Sequence, residues 1–114
     1  MNIKQELNAL ITATKEEYDA VSKLENKDII DRIEEERLHG RNIAYQIALS
    51  YMDRKLYSLA ESESRCKSTT ETYEESRESV LYGDGTLLEL AFFKGQAEGF
   101  AEVHALLEAE ESNR

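Results

Sequence analysis

Few residues in this chain could carry chemistry, and each has a simple competing explanation. The sequence holds two His and one Cys. Glu36-Arg37-Leu38-His39 matches Glu-x-x-His, the helical motif of carboxylate-bridged two-metal bundles. Such a site needs a second copy of the motif and two further inward carboxylates. The other histidine, His104, has Ala101 three residues before it, so the second copy is missing. His39 is therefore expected at the surface near a carboxylate. His104 is expected on an apolar stripe, as a hydrogen-bonded interface residue. Cys66 lies between Arg65 and Lys67, cations that favour a thiolate. With no His nearby in sequence it reads as a surface thiol rather than a nucleophile.

Acids recur at helical spacing in Glu34-Glu35-Glu36 and in Glu71, Glu74, Glu75 and Glu78. A magnesium-dependent all-α nucleotide hydrolase would need such acids to converge in a dry cleft. They fall instead in the most polar stretches, where a solvated face is the better reading. Gly83-Asp84-Gly85 lacks the Gly and Lys pattern of a phosphate-binding loop. No catalytic residue, metal site or cofactor is assigned, and a non-enzymatic protein is expected.

Composition narrows the classes further. The 114 residues carry 24 acidic and 14 basic side chains, a formal net charge of −10. One Cys excludes an internal disulfide framework and a four-thiolate zinc site. The acidic balance argues against direct binding to phosphate backbones, which takes clustered Lys and Arg. The N-terminus lacks the apolar core of a signal peptide, and a lone Cys fits a reducing compartment, so a cytoplasmic location is expected. The most apolar window, residues 86–107, contains Glu89, Lys94, Glu98 and Glu102 and cannot span a membrane.

The elements that must position these residues are helices, because the chain has no Pro and is rich in good helix formers. Ile3, Leu7, Leu10, Thr14, Tyr18, Val21 and Leu24 recur at three-four spacing and predict a helix over about 2–25. Asn26 and Asp28 read as a stop and an N-cap. A second helix is predicted over 28–60. Its first stripe runs through Ile30, Ile33, Arg37, Gly40, Ala44, Ile47 and Tyr51, and its second through Tyr45, Leu49, Met52, Leu56 and Leu59. The competing reading ends a helix at His39-Gly40. Residues 58–79 hold six Ser, three Thr and six Glu. Residues 61–70 are expected to be a polar flexible stretch, followed by a marginal helix over 69–81 opened by the box Ser68-Thr69-Thr70-Glu71. After the Gly83-Asp84-Gly85 turn, Thr86 caps a last helix over 86–110.

The sharpest pattern is a pair of small-residue faces. Gly40, Ala44 and Ala48 stand four apart, as do Ala91, Gly95 and Gly99. An interior glycine costs a helix about 1 kcal/mol relative to Ala, which close approach of another backbone would offset. The competing reading makes Gly40 and Gly95 helix ends. Residues 41–60 are net +2 while the flanking segments are negative. The acidic charge thus belongs to a shell around a helical core.

The expected fold is an all-α, small antiparallel bundle of three to four helices in one domain, completed by dimerisation. Tyr45, Leu49, Met52, Leu56, Phe93, Phe100, His104 and Leu107 are the expected oligomer or partner interface. Glu71, Glu74, Glu75 and Glu78 are the expected partner-facing acids. The expected function is non-enzymatic binding of a protein partner, one version being a stoichiometric inhibitor that covers a basic nucleic-acid groove. Small phage counter-defence proteins share this size and charge as a matter of general character. A structural homodimeric assembly module and the nucleotide hydrolase are the alternatives.

Overall fold

A computed structural model describes residues 2–113 as four helices: α1 (Ile3–Ser22), α2 (Ile29–Asp53), α3 (Leu59–Leu81) and α4 (Leu87–Ser112). Each helix opens on a side-chain cap. Asn2 accepts from the Lys4 amide. Asp28 and Asp31 exchange bonds in a full capping box. Ser58 accepts from the Glu61 amide and Thr86 from the Glu89 amide. These caps satisfy amides that the first helical turn leaves without a partner.

Three expected boundaries are corrected. The predicted helix over 2–25 ends at Ser22, capped by Lys23, so Leu24 falls outside its stripe and Asn26 lies in the connection. The predicted helix over 28–60 stops at Asp53. Lys55 takes a left-handed φ of 59°. The Lys55 amide donates to the Met52 carbonyl and the Leu56 amide to the Tyr51 carbonyl, at 3.0 and 2.8 Å. This is a Schellman end built without glycine, and the three-four register of Leu56 and Leu59 crosses it only in sequence. The stretch over 61–70, expected to be flexible, is the first half of α3, which begins ten residues before the predicted start. The operative cap is Ser58-Leu59-Ala60-Glu61 rather than the box at Ser68. Thr69 lies inside the helix and donates back to the Arg65 carbonyl at 2.8 Å. The end of α3 repeats the Schellman pattern, now with Gly83 at φ 83°.

Antiparallel neighbours α1 and α2 pack together, as do α3 and α4, while α2 and α4 run parallel and make the most extensive contact. That contact passes through glycine. A Cβ placed on Gly40 would sit 2.1 Å from the Phe92 carbonyl oxygen, and one on Gly95 would sit 1.9 Å from that of Arg37. On Gly99 it would meet Ala44 Cβ at 2.7 Å. Small residues four apart let helix backbones approach this closely. Gly40 is therefore inside a continuous helix and ends nothing.

Pulling this diagonal pair together flattens the up-down-up-down bundle. The molecule measures 47 × 32 × 22 Å, and its short dimension is two helices thick. The main core gathers Leu7 of α1, Tyr45, Ala48 and Met52 of α2, Tyr57 of the α2–α3 connection and Val103 of α4.

Gly95→Ala tests the contact by its sign. In open space alanine would stabilise the helix by about 1 kcal/mol. Against the Arg37 carbonyl it overpacks, which costs about 1–3 kcal/mol or more. A melting temperature lowered by roughly 5–15 °C is expected. A raised one would remove the backbone contact.

Candidate functional site: a polar seam, an arginine clamp and an acidic face

The inner face of α3 is made of Ser62, Cys66, Thr69, Tyr73, Ser76 and Val80, at strict three-four spacing, all buried or half-buried. It is a helix stripe built largely from small polar side chains, and hydrogen bonds hold it where apolar area cannot. Ser62 is fully buried, and its Oγ lies 3.0 Å from His104 Nδ1. The other ring nitrogen, Nε2, lies 2.7 Å from Glu108 Oε1. Cys66 Sγ donates to the Phe100 carbonyl at 3.3 Å.

Ser62, His104 and Glu108 have the connectivity of a hydrolytic triad, and sequence reading did not bring them together. The geometry favours a structural seam instead. The serine is sealed between α3 and α4, so a substrate could reach Oγ only if α3 moved. The acid is the outermost member, at the surface. With Nε2–H donated to Glu108, Nδ1 accepts from Ser62, and all three groups are satisfied in the neutral tautomer.

Cys66 is correspondingly not the loop thiol expected from sequence. It lies on the α3–α4 seam, and burial pushes its pKa up, so it stays protonated near neutral pH.

Arg37 is the other tie. Its guanidinium takes Glu34 through Nε and Nη2 and both oxygens of Glu98 through Nη1, at 3.2 Å each. It thereby links α2 to α4 at the rim of the glycine contact. The signal in sequence was a charged residue in an otherwise small or apolar register. The Arg37 hydrogen bonds hold the Glu34 carboxyl below its ordinary pKa, against a smaller opposing effect of burial.

Of the triple acid, Glu34 is bound by Arg37, and Glu35 faces Lys27 at 3.0 Å. His39 packs its ring near Phe92 and Tyr18, at 5.5 and 6.2 Å between centroids. Among the described residues no group of three His, Cys, Asp or Glu could hold a metal ion. No described helix is long and apolar enough to cross a membrane.

The expected interface residues divide. Tyr45, Met52 and Phe100 are buried inside the chain, which corrects their assignment to an oligomer or partner surface. The second faces of α2 and α4 are covered by α1, by α3 and by each other. Leu49 and Leu107 pack at the edge of the core. Phe93 and His104 are half-buried, and Leu56 alone of the set is well exposed. Leu56 borders an open cavity of about 570 Å³ with Ile3, Met52, Tyr57, Leu59 and Leu107. Glu71, Glu74, Glu75 and Glu78 are all exposed on the outer face of α3. No known protein family, curated protein or solved structure matches the chain.

Two outcomes follow from the seam and the clamp. Cys66 in the folded chain should react with a thiol reagent at least tenfold more slowly than in the urea-unfolded chain; equal rates would place the thiol in solvent. A carboxylate held below its ordinary pKa stabilises the fold above about pH 4.5 and loses that contribution as pH falls. Glu34→Gln should therefore lower the urea midpoint at pH 7 and flatten its decline below about pH 5. A variant with an unchanged acid profile would show that Arg37 does not hold Glu34.

Proposed function

We propose that this chain is an acidic, non-enzymatic protein-binding module that acts stoichiometrically on a basic partner surface. The observation that supports it is the outer face of α3. Glu71, Glu74, Glu75 and Glu78 lie on one helix face, exposed and without an ion-pair partner among the described residues. Four carboxylates over about 10 Å of helix axis give roughly one charge per 3 Å. Phosphates along one nucleic-acid strand are spaced by about 3.4 Å. A groove that grips a phosphate backbone with Lys and Arg therefore meets a comparable line of charge.

The rest of α3 suits this role. Its ordered backbone fixes the spacing, so little flexibility is lost on binding. The negative field steers basic surfaces toward it. A stoichiometric inhibitor of a nucleic-acid-binding protein in the cytoplasm, of the phage counter-defence type, is the concrete version of this reading.

The test is affinity capture from native cell extract, with wild type and with Glu71, Glu74, Glu75 and Glu78 all changed to Gln. The expected result is a basic nucleic-acid-binding protein retained at low salt, released by high salt or duplex DNA, and lost with the quadruple variant. Capture indifferent to salt and to the four glutamates would sink the proposal.

A further inference from the structure

The four helices are not held alike. The main core, around Leu7, Tyr45, Met52, Tyr57 and Val103, includes no residue of α3. The other flanking helix, α1, puts Leu7 into that core with Ile3, Leu10 and Ile11 against it. Among the described residues, the backbone of α3 packs along α4 and along no other helix. Of the 23 residues of α3 only Ser62 is buried. The largest apolar side chains on its inner face, Tyr73 and Val80, are half-buried. Elements with few buried apolar contacts are the ones that open at the lowest cost in free energy.

The face of α4 beneath it is of the opposite kind. Phe93 borders Thr72 and Ser76 across an open cavity of about 230 Å³. Phe100, 2% exposed, lies near the Arg65 guanidinium, and its carbonyl accepts from Cys66. Aromatic rings are thus covered by hydroxyls, a thiol and a guanidinium. Burial of the rings favours the closed state, but α3 brings little apolar area of its own to it. Arg65 also reaches the Tyr51 ring of α2, at 4.6 Å, while paired with Glu61 of its own helix. The chain turns through a left-handed residue on either side of α3, Lys55 before it and Gly83 after it. Tyr57, buried in the core, anchors the first connection up to the Ser58 cap. The pivot on that side is therefore at Ser58.

We infer that α3 is a hinged cover, which leaves α4 as one unit while α1, α2 and α4 stay folded around the core. A Ser- and Glu-rich helix with no packed face is marginal in water, so α3 unwinds as it leaves. Its departure bares Phe93, Phe100 and His104 on α4 and frees the Cys66 thiol. The closed state is held by the Ser62 and Cys66 hydrogen bonds and by the buried Phe100 ring. None of these ties reaches the main core, so breaking them leaves it intact. The opening does not depend on the function proposed for the outer face of α3.

The experiment is native-state hydrogen exchange of the full chain, read residue by residue by NMR in urea too dilute to unfold it. Amides in the middle of α3 should converge on one protection factor, roughly tenfold or more below that of the slowest amides of α2 and α4. Their urea dependence should be smaller than that of global unfolding but not zero, since the opening exposes part of the surface. Labelling of the Cys66 thiol should follow the same dependence. His104→Ala removes the imidazole that Ser62 meets, on a helix that stays formed, and should speed the labelling about fivefold. Ile11→Ala, at the edge of the core, should lower the slowest protection factors by about fivefold or more. It should leave the labelling rate unchanged, because the closed and open states lose the same packing. Amides of α3 that share the protection and urea dependence of α2 and α4 overturn the inference, as does labelling sped equally by Ile11→Ala. Exchange along α3 residue by residue, with no urea dependence, overturns it too, since no unit then opens.

Discussion

The approach of α2 to α4 through Gly40, Gly95 and Gly99 is the constraint on which the rest of this structure depends. Two helices touch at the backbone only where at least one of them presents no Cβ at the contact. Here a Cβ on Gly40 or Gly95 would collide with a carbonyl oxygen of the other helix, and one on Gly99 with Ala44. The contact joins the diagonal pair of an up-down-up-down bundle. Shortening one diagonal lengthens the other, so α1 and α3 stand apart on opposite sides of a central pair. Arg37 crosses the rim of the same contact to Glu98, which fixes the register of two helices that slide easily when their facing residues are small.

The parallel central pair also explains the uneven surface. With α2 and α4 starting at the same end, the two connections that precede them lie at that end, where Ile30, Leu81 and Tyr82 are exposed, while Leu56 and Leu59 are exposed at the other. On the opposite side α3 lies against α4 through Ser62, Cys66 and Thr69, and so contributes little apolar burial. Its hold rests on the serine–histidine–glutamate chain, the thiol bond to Phe100, and Arg65 laid over the Tyr51 and Phe100 rings. Its outer face is left to polar side chains, four carboxylates among them.

Much of the fold was legible in the residues. The three-four stripes of α1 and α4, the left-handed Asn26 in the first connection, the caps at Asp28 and Thr86 and the turn at Gly83 all depend on local chemistry. Local chemistry is present in sequence. The small faces of α2 and α4 were legible too, because an interior glycine in a helix demands a reason. Two features escaped. The end of α2 is a left-handed Lys55, a conformation no residue type announces, and the apolar register continues past it by coincidence. The inner face of α3 has perfect helical spacing, but in Ser, Cys and Thr, residue types that apolar periodicity does not count. The candidate site was legible in its exposed acids and in a hydrogen-bonded His104, but not in the partners that His104 finds. Ser62 and His104 are 42 residues apart, and nothing local links them.

The sequence by itself determined an all-helical chain, its main turns, its acidic shell and the two faces without side chains that must meet something. Those follow from propensity, capping and charge, which act over a few residues. Tertiary structure alone decided that the two small faces meet each other within one chain. It also decided that Tyr45, Met52 and Phe100 are thereby enclosed, and which apolar residues are left uncovered at the two ends. Burial belongs to pairs of surfaces. A stripe records that a face must be covered, and only packing settles what covers it.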